Sequence, residues 1–147
     1  MRHGNYPTTD LNMVIDFTKQ DREWLRYLLD RRLAPTLARV FGIPMKNIRA
    51  SDMFVVRYDA GQRIKLDSHT DDSDISVNIL LNEDFTDGGT TFWNRVEDQP
   101  YAHVQPTQPG TLLSHSARIN HEGAAISSGT RIILVGFLSV DRIDPFS

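Results

Sequence analysis

Two histidines, an aspartate and an arginine are the residues of this sequence best suited to chemistry. His69 and Asp71 stand two residues apart, His121 follows 52 residues after His69, and Arg131 lies ten residues beyond His121. Two imidazoles and one carboxylate occupy one face of an octahedral metal ion and leave three positions open, as in non-haem Fe(II) oxygenases. The planar guanidinium of Arg131 could bind an anionic co-substrate through two hydrogen bonds. These four residues predict a metal-dependent enzyme.

The pair His69 and Asp71 carries little weight alone. On a strand, side chains two residues apart point to the same side, so both could reach one ion. A His-x-Asp triplet is nevertheless short and common, and this one lies in an acidic stretch between Asp67 and Asp74 that could be a solvated loop. The prediction therefore depends on a third ligand.

Two histidines compete for the position of third ligand. His115 ends an apolar stretch and could face the same interior, whereas His121 precedes a turn signal and stands at a hairpin distance from Arg131. We favour His121 and expect His115 to be a structural or neighbouring residue. His3 and His103 are expected at the surface, and His103 is expected to have no partner nearby.

Three further residues are candidates for the binding of an anionic ligand. Arg131 is expected to begin an apolar strand, where an unpaired cation would be costly, so it should meet either an anion or a local Asp or Glu. Asn78 and Tyr58 could line the same pocket, or could be an ordinary sheet position and a half-buried aromatic ring. Phe92 and Trp93 are most simply core residues.

One helix must position the N-terminal part of the chain. Thr18 with Asp21 three residues later forms a capping-box pattern, and apolar residues then recur at helical spacing. Pro35 should kink or split this segment, and Gly42 should end it.

After residue 52 the pattern changes to short strands separated by Gly and Pro turns. Strands are predicted at 53–58, 75–82, 90–93, 101–105, 111–115 and 130–139. In 75–82 the residues alternate between an apolar and a polar face, whereas 130–139 is apolar on both faces and should lie between two layers. The chain is predicted to be mainly β with an N-terminal helix, a double-stranded β-helix or jelly roll.

Composition restricts the function classes. The 147 residues predict a single domain over 1–147, and a net charge of −3 without a basic stripe argues against nucleic acid. The absence of cysteine excludes disulfides and thiolate ligands. No stretch is long and apolar enough to cross a membrane, and the N-terminus lacks an apolar signal core, which predicts a cytoplasmic protein.

Several segments together resemble the Fe(II)/2-oxoglutarate dioxygenase superfamily. They are FVVRY (54–58), HTDDSDISVNILLN (69–82), GGTTF (88–92) and HSARINHEGAAISSGTRIILVGF (115–137). Within that superfamily the chain is most similar to the catalytic domain of procollagen lysyl hydroxylases, which YPTTDL (6–11) and REWL (22–25) also resemble. Prolyl 4-hydroxylase-like enzymes share the metal and arginine pattern with less similar flanks.

The resemblance implies a role for each candidate residue. His69, Asp71 and His121 would bind Fe(II), and Arg131 would hold the distal carboxylate of 2-oxoglutarate with help from Asn78 and Tyr58. The implied reaction converts 2-oxoglutarate and O2 to succinate and CO2 and hydroxylates an unactivated C–H bond of a peptidyl lysine or proline. Ascorbate is an expected accessory reductant.

The substrate stays open at this level. Specificity should come from the loops at 60–68, 83–89 and 94–100, which carry no recognisable motif. Alternatives are a dioxygenase that acts on a free amino acid or other small molecule, a non-catalytic jelly-roll module that binds a metal or peptide, and a hydrolytic Zn(II) site. The oligomeric state is not predicted.

Overall fold

The structure is a computed structural model that describes residues 9–12, 17–61 and 68–142, the first of these as backbone only. The predictions made for residues 6–8, His3, Asp67 and most of the loop 60–68 lie outside the described residues. The helices are α1 (Lys19–Leu28) and α2 (Ala34–Phe41), joined by a π-helical turn (Leu29–Leu33) and followed by a 3-10 turn (Met45–Asn47). The strands are β1 (Thr9–Asn12), β2 (Ile48–Asp59), β3 (Ile75–Leu80), β4 (Phe85–Asp87), β5 (Thr90–Asn94), β6 (Gln99–Val104), β7 (Leu112–Ser116), β8 (His121–Gly123) and β9 (Ile126–Val140).

The helical segment begins and ends at the predicted residues. The backbone N–H of Thr18 donates to Asp21 Oδ2 at 2.9 Å, and the N–H of Asp21 donates to Thr18 Oγ1 at 3.2 Å, which completes the capping box. Pro35 lies in the first turn of α2, directly after the π-helical turn. Because proline has no N–H to donate, the regular ladder is interrupted there and the segment splits as predicted. Gly42 ends α2 in the left-handed conformation, with φ of 68°.

Two antiparallel sheets form the double-stranded β-helix expected from the sequence. The larger sheet has the order β1-β2-β9-β3-β7, with β4 paired to β9, and the smaller has the order β6-β5-β8. The long pairing of β2 with β9 and the pairing of β9 with β3 make β9 the centre of the larger sheet.

The larger sheet separates two apolar layers. On one side Leu37 of α2 packs in a cluster with Met53 and Leu138. On the other side, inside the β-helix, Phe54 and Ile133 belong to a second cluster. A central strand covered on both faces must be apolar on both faces, which confirms the interpretation of residues 130–139.

Some strand predictions were wrong in detail. The face of β3 that carries Ser76 and Asn78 was expected outside the core, where Asn78 could line a pocket; it is largely buried, with Ser76 4% and Leu80 0% exposed, because it faces the cavity inside the β-helix. β9 begins at Ile126, so Arg131 lies inside the strand rather than at its start. The sequence analysis also missed the short strands β1, β4 and β8, which have too few residues for a periodic pattern.

No helix among the described residues is long and apolar enough to cross a membrane.

The docking of α2 onto the sheet can be tested by truncation of its buried side chain. Leu37 is 0% exposed, so Leu37→Ala should lower the free energy of unfolding by about 2–5 kcal/mol through lost burial and the cavity left behind. The matched control is Val40→Ala in the same helix, since Val40 is 63% exposed and should change stability by less than about 0.5 kcal/mol. Denaturant titration measures both, and equal losses would contradict the packing described.

Candidate metal centre and cavity

A pair of backbone hydrogen bonds joins the two segments that carry the candidate ligands. The N–H of His69 donates to the carbonyl of His121 at 2.9 Å, and the N–H of His121 donates back to His69 at the same distance. Two residues that exchange both bonds are direct antiparallel partners. The N–H of Asp71 donates to the carbonyl of Ala117 at 2.9 Å, which aligns the next ligand. His69 pairs with His121 through an isolated β-bridge. The spacing of His69 and Asp71 had suggested a strand, but neither residue lies within one of the strands.

The three candidate ligand atoms converge. His69 Nε2 lies 3.5 Å from Asp71 Oδ1, and His121 Nε2 lies 3.4 Å from Asp71 Oδ2. One ligand atom from each residue lies within 4.8 Å of the others. Ligands bonded at about 2.1 Å to one ion, at right angles, are about 3 Å apart, so this group needs little adjustment to hold a metal. Two imidazoles with one carboxylate suit Fe(II), and the described residues therefore fit the expected metal.

Hydrogen bonds orient two of the three ligands. His121 Nδ1 lies 2.9 Å from the carbonyl oxygen of Ile119, so the ring donates through Nδ1 and leaves the lone pair of Nε2 directed at the metal position. Ser76 donates to Asp71 Oδ2 at 2.5 Å. Partners of this kind hold ligating side chains in a fixed orientation.

The electrostatics of the site favour the protonation states that a metal requires. Burial raises the pKa of Asp71, but hydrogen bonds from His69 and Ser76 and the nearby imidazoles outweigh it, so the pKa lies below its ordinary value. Burial lowers the pKa of His121 by more than the Ile119 carbonyl and Asp71 raise it. An ionised carboxylate and a neutral imidazole are the forms that bind metal.

A cavity of about 420 Å³ opens beside the three ligands. It brings together all six residues singled out in the sequence, namely His69, Asp71, His121, Arg131, Asn78 and Tyr58. The remaining lining residues are Phe54, Val56, Thr70, Asp72, Ser76, Val77, Thr90, His115, Gly123, Ile133, Val135 and Phe137.

Arg131 is a buried cation without a local counter-ion. It is 2% exposed, and no described carboxylate lies within ion-pair distance of it, so the local ion pair considered from the sequence does not form among the described residues. Its Nε has no hydrogen-bond partner, and its guanidinium carbon lies 5.6 Å from the centre of the Tyr58 ring. Burial lowers the pKa of Arg131, which Tyr58 partly opposes. An anion bound in the cavity would accept a hydrogen bond from the Arg131 guanidinium and balance its charge.

Arg131 and His121 reach the cavity from different sheets. The sequence analysis placed them face to face on a hairpin, which is wrong, because β8 pairs with β5 of the smaller sheet and β9 belongs to the larger one. The chain passes from one sheet to the other between Gly123 and Ile126.

The two other described histidines, His115 and His103, lie as expected, apart from one contact. His115 is 7% exposed, its ring centre is 4.4 Å from that of His121, and its Nδ1 donates to the carbonyl of Ser116 at 2.8 Å. It is not among the three convergent ligands. His103 is exposed as predicted, but it has a partner, since its Nδ1 lies 3.0 Å from Thr91 Oγ1.

The residues that support the site were not predicted from the sequence. Ser76 lies two positions from Asn78 on the same face of β3, and the alternation that selected Asn78 could have selected Ser76 as well. Phe92, which was expected in the core, is buried and packs edge-on to His115 with ring centres 5.2 Å apart. Trp93 is only half-buried.

Comparison with known proteins finds curated relatives that match nearly the whole chain. Procollagen-lysine,2-oxoglutarate 5-dioxygenase 1 of Gallus gallus is 32% identical over 142 residues, which cover 92% of this chain. The multifunctional procollagen lysine hydroxylase and glycosyltransferase of Caenorhabditis elegans is 32% identical over 144 residues, or 93% of the chain. Over nearly its whole length, the chain is homologous to a part of these procollagen lysine hydroxylases. It spans 18% of the length of each of these two relatives, and no family model matches it.

Solved structures agree on the fold. An oxidoreductase of the 2OG-Fe(II) oxygenase family from Burkholderia pseudomallei superposes with a TM-score of 0.73 at 19% identity, over 90% of this chain and 65% of that one. The viral collagen prolyl hydroxylase of Paramecium Bursaria Chlorella virus-1, solved with 2OG, gives a TM-score of 0.61 at 15% identity, over 92% of this chain and 80% of that one. At these identities the similarity is one of fold.

The hydrogen bond from Ser76 predicts an effect on metal affinity. Ser76→Ala removes the donor to Asp71 Oδ2 and should weaken Mn(II) binding about tenfold, which isothermal titration calorimetry can measure. Ser51→Ala is the control, because Ser51 is exposed and bonds only to Ser139 among the described side chains. Unchanged affinity in Ser76→Ala would show that Asp71 needs no such support.

The lowered pKa of His121 predicts a pH dependence of stability in the metal-free protein. Below the ordinary imidazole value of about 6.5, the unfolded chain takes up a proton that native His121 resists. The free energy of unfolding should therefore fall as pH decreases from about 6.5 towards the lowered native pKa. His121→Gln should make this decline shallower, as measured by urea titration between pH 7 and 5. An equally steep decline in the variant would show that His121 does not cause the pH dependence of the free energy of unfolding.

Proposed function

We propose that this chain is an Fe(II)- and 2-oxoglutarate-dependent dioxygenase that hydroxylates an unactivated C–H bond of a peptidyl lysine or proline. One observation carries the proposal: a His-Asp-His group and a buried arginine without a counter-ion line the same cavity. The ligand set alone would also suit a hydrolytic metal site. The arginine adds a specific place for a dicarboxylic co-substrate, which favours the oxygenase.

His69, Asp71 and His121 would hold the metal. With 2-oxoglutarate and O2, bound Fe(II) supplies the oxidant for C–H hydroxylation, and the co-substrate leaves as succinate and CO2. The protein contributes a fixed ligand geometry through Ser76 and the Ile119 carbonyl. Three protein ligands leave coordination positions for the co-substrate and oxygen.

Arg131 would bind the distal carboxylate of 2-oxoglutarate. Its nearly complete burial strengthens the interaction, because few water molecules can compete there for the carboxylate. Tyr58 lies directly opposite Arg131 in the β2–β9 pairing and flanks the guanidinium. Asn78 lines the same cavity and offers an amide as a further hydrogen-bond donor.

The substrate class rests on the relatives. Curated relatives are named for procollagen lysine, and the viral structural neighbour is a collagen prolyl hydroxylase. The apolar lining from Phe54, Val135 and Phe137 suits the aliphatic part of such a side chain and limits the access of water to the reacting carbon. We propose that ascorbate serves as the accessory reductant of this reaction.

The co-substrate role of Arg131 is testable by kinetics. The purified protein with Fe(II) and ascorbate should release succinate from 2-oxoglutarate slowly without a second substrate. Arg131→Gln should raise the KM for 2-oxoglutarate about 100-fold, because the buried carboxylate loses its charged partner. Mn(II) affinity should be retained, since Arg131 is not a ligand.

The matched control is Arg95→Gln, which removes the same charge from an exposed position away from the cavity. Its KM for 2-oxoglutarate should equal that of the wild type. Failure of the wild type to release succinate at any Fe(II) concentration would refute the proposed function.

A further inference from the structure

We propose that Asp72 is the specificity-determining residue at the mouth of the cavity, where its carboxylate binds a cationic group of the substrate. The inference rests on the proposed function and goes further, because it assigns a role to a residue outside the metal and co-substrate sites. The expected ligand is an alkylammonium group, as in a lysyl side chain, rather than a neutral side chain.

The exposure of the lining residues defines the direction of the cavity. Arg131 is 2% exposed, and the side chains of His121 and His69 are 11% and 33% exposed. Asp72 is exposed but still lines the same cavity. Along the lining, exposure to solvent therefore rises from Arg131 through the candidate ligands to Asp72.

The Asp72 carboxylate is free to bind a ligand. No hydrogen bond or ion pair joins its side chain to any other residue in the described part of the chain. Other aspartates nearby are already engaged: Asp71 accepts from Ser76, and Asp74 accepts from the N–H of Val140. Among Asp71, Asp72 and Asp74, only Asp72 lines the cavity and also has a carboxylate without a partner in the described part of the chain.

The net charge of the site with metal and 2-oxoglutarate bound also points to Asp72. A divalent metal with Asp71 and the dianion of 2-oxoglutarate with Arg131 together carry no net charge. Asp72 is then the uncompensated charge among the described lining residues, which include no lysine and no arginine other than Arg131. Beside a low-dielectric apolar wall, such a charge attracts cations and repels anions more strongly than it would in open water.

The chain positions Asp72 through its neighbours. The N–H of Asp71 is held by the Ala117 carbonyl, and the N–H of Asp74 is held by the carbonyl of Leu138. These two anchors fix the backbone on both sides of Asp72. The carboxylate is thus presented from a restrained segment, which lowers the entropic cost of binding.

The test compares two peptides that differ in one charge. One carries a single central lysine, and the other carries norleucine there. Binding to the protein with Mn(II) and 2-oxoglutarate is measured by calorimetry, and kcat/KM of the Fe(II) enzyme by peptide-stimulated succinate release. Wild-type protein should bind the lysyl peptide more tightly. Asp72→Asn should reduce that preference about tenfold, and Asp72→Glu should restore most of it.

Asp98→Asn is the matched control, since Asp98 is exposed, lies outside the cavity lining and has a positive φ that asparagine tolerates. It should retain the wild-type preference. Equal preferences in Asp72→Asn and Asp98→Asn, or equal binding of both peptides by the wild type, would overturn the proposal. Failure of the proposed function is seen separately, as a lack of succinate release without peptide, because the calorimetric comparison needs no turnover.

Discussion

The structure depends on one backbone contact, the reciprocal pair of hydrogen bonds between His69 and His121. Residues far apart in sequence become direct neighbours there, and each of the two is a candidate metal ligand. The same contact brings Asp71 alongside Ala117, so the third ligand follows from the same pairing. Side chains on segments that are paired by backbone hydrogen bonds keep their relative positions better than side chains on flexible loops. A metal centre with open coordination positions requires ligands fixed in this way.

The larger sheet imposes the second constraint. Its central strands are covered by the helices on one face and by the smaller sheet on the other, so residues that alternate along a strand have different surroundings. In β9, Leu134 and Leu138 pack towards the helices, whereas Arg131, Ile133 and Val135 line the cavity. An anion that bound beside this buried cation would compensate its charge and would therefore also stabilise this region of the fold.

The sequence predicted the elements with strong local signals. The Thr18–Asp21 capping box, the split at Pro35 and the long apolar strand each follow from short-range chemistry and were confirmed. The six candidate site residues line one cavity, and their residue types and the resemblance to a known family were enough to select them. The hairpin between His121 and Arg131 was wrong, since strand pairing between two sheets is a long-range property that spacing alone does not encode. The alternation along β3 could have selected Ser76 together with Asn78, but its hydrogen bond to Asp71, like the role of Asp72, appears only once the neighbouring residues are known.

The most direct test of the account is the absorption of the anaerobic complex. Wild-type protein loaded with Fe(II) should show a visible metal-to-ligand charge-transfer band when 2-oxoglutarate is added, because the co-substrate would coordinate iron held by His69, Asp71 and His121. At the same 2-oxoglutarate concentration, His69→Ala should show no such band. If iron is demonstrably bound to the wild-type protein and 2-oxoglutarate produces no band at any concentration, the central claim is contradicted.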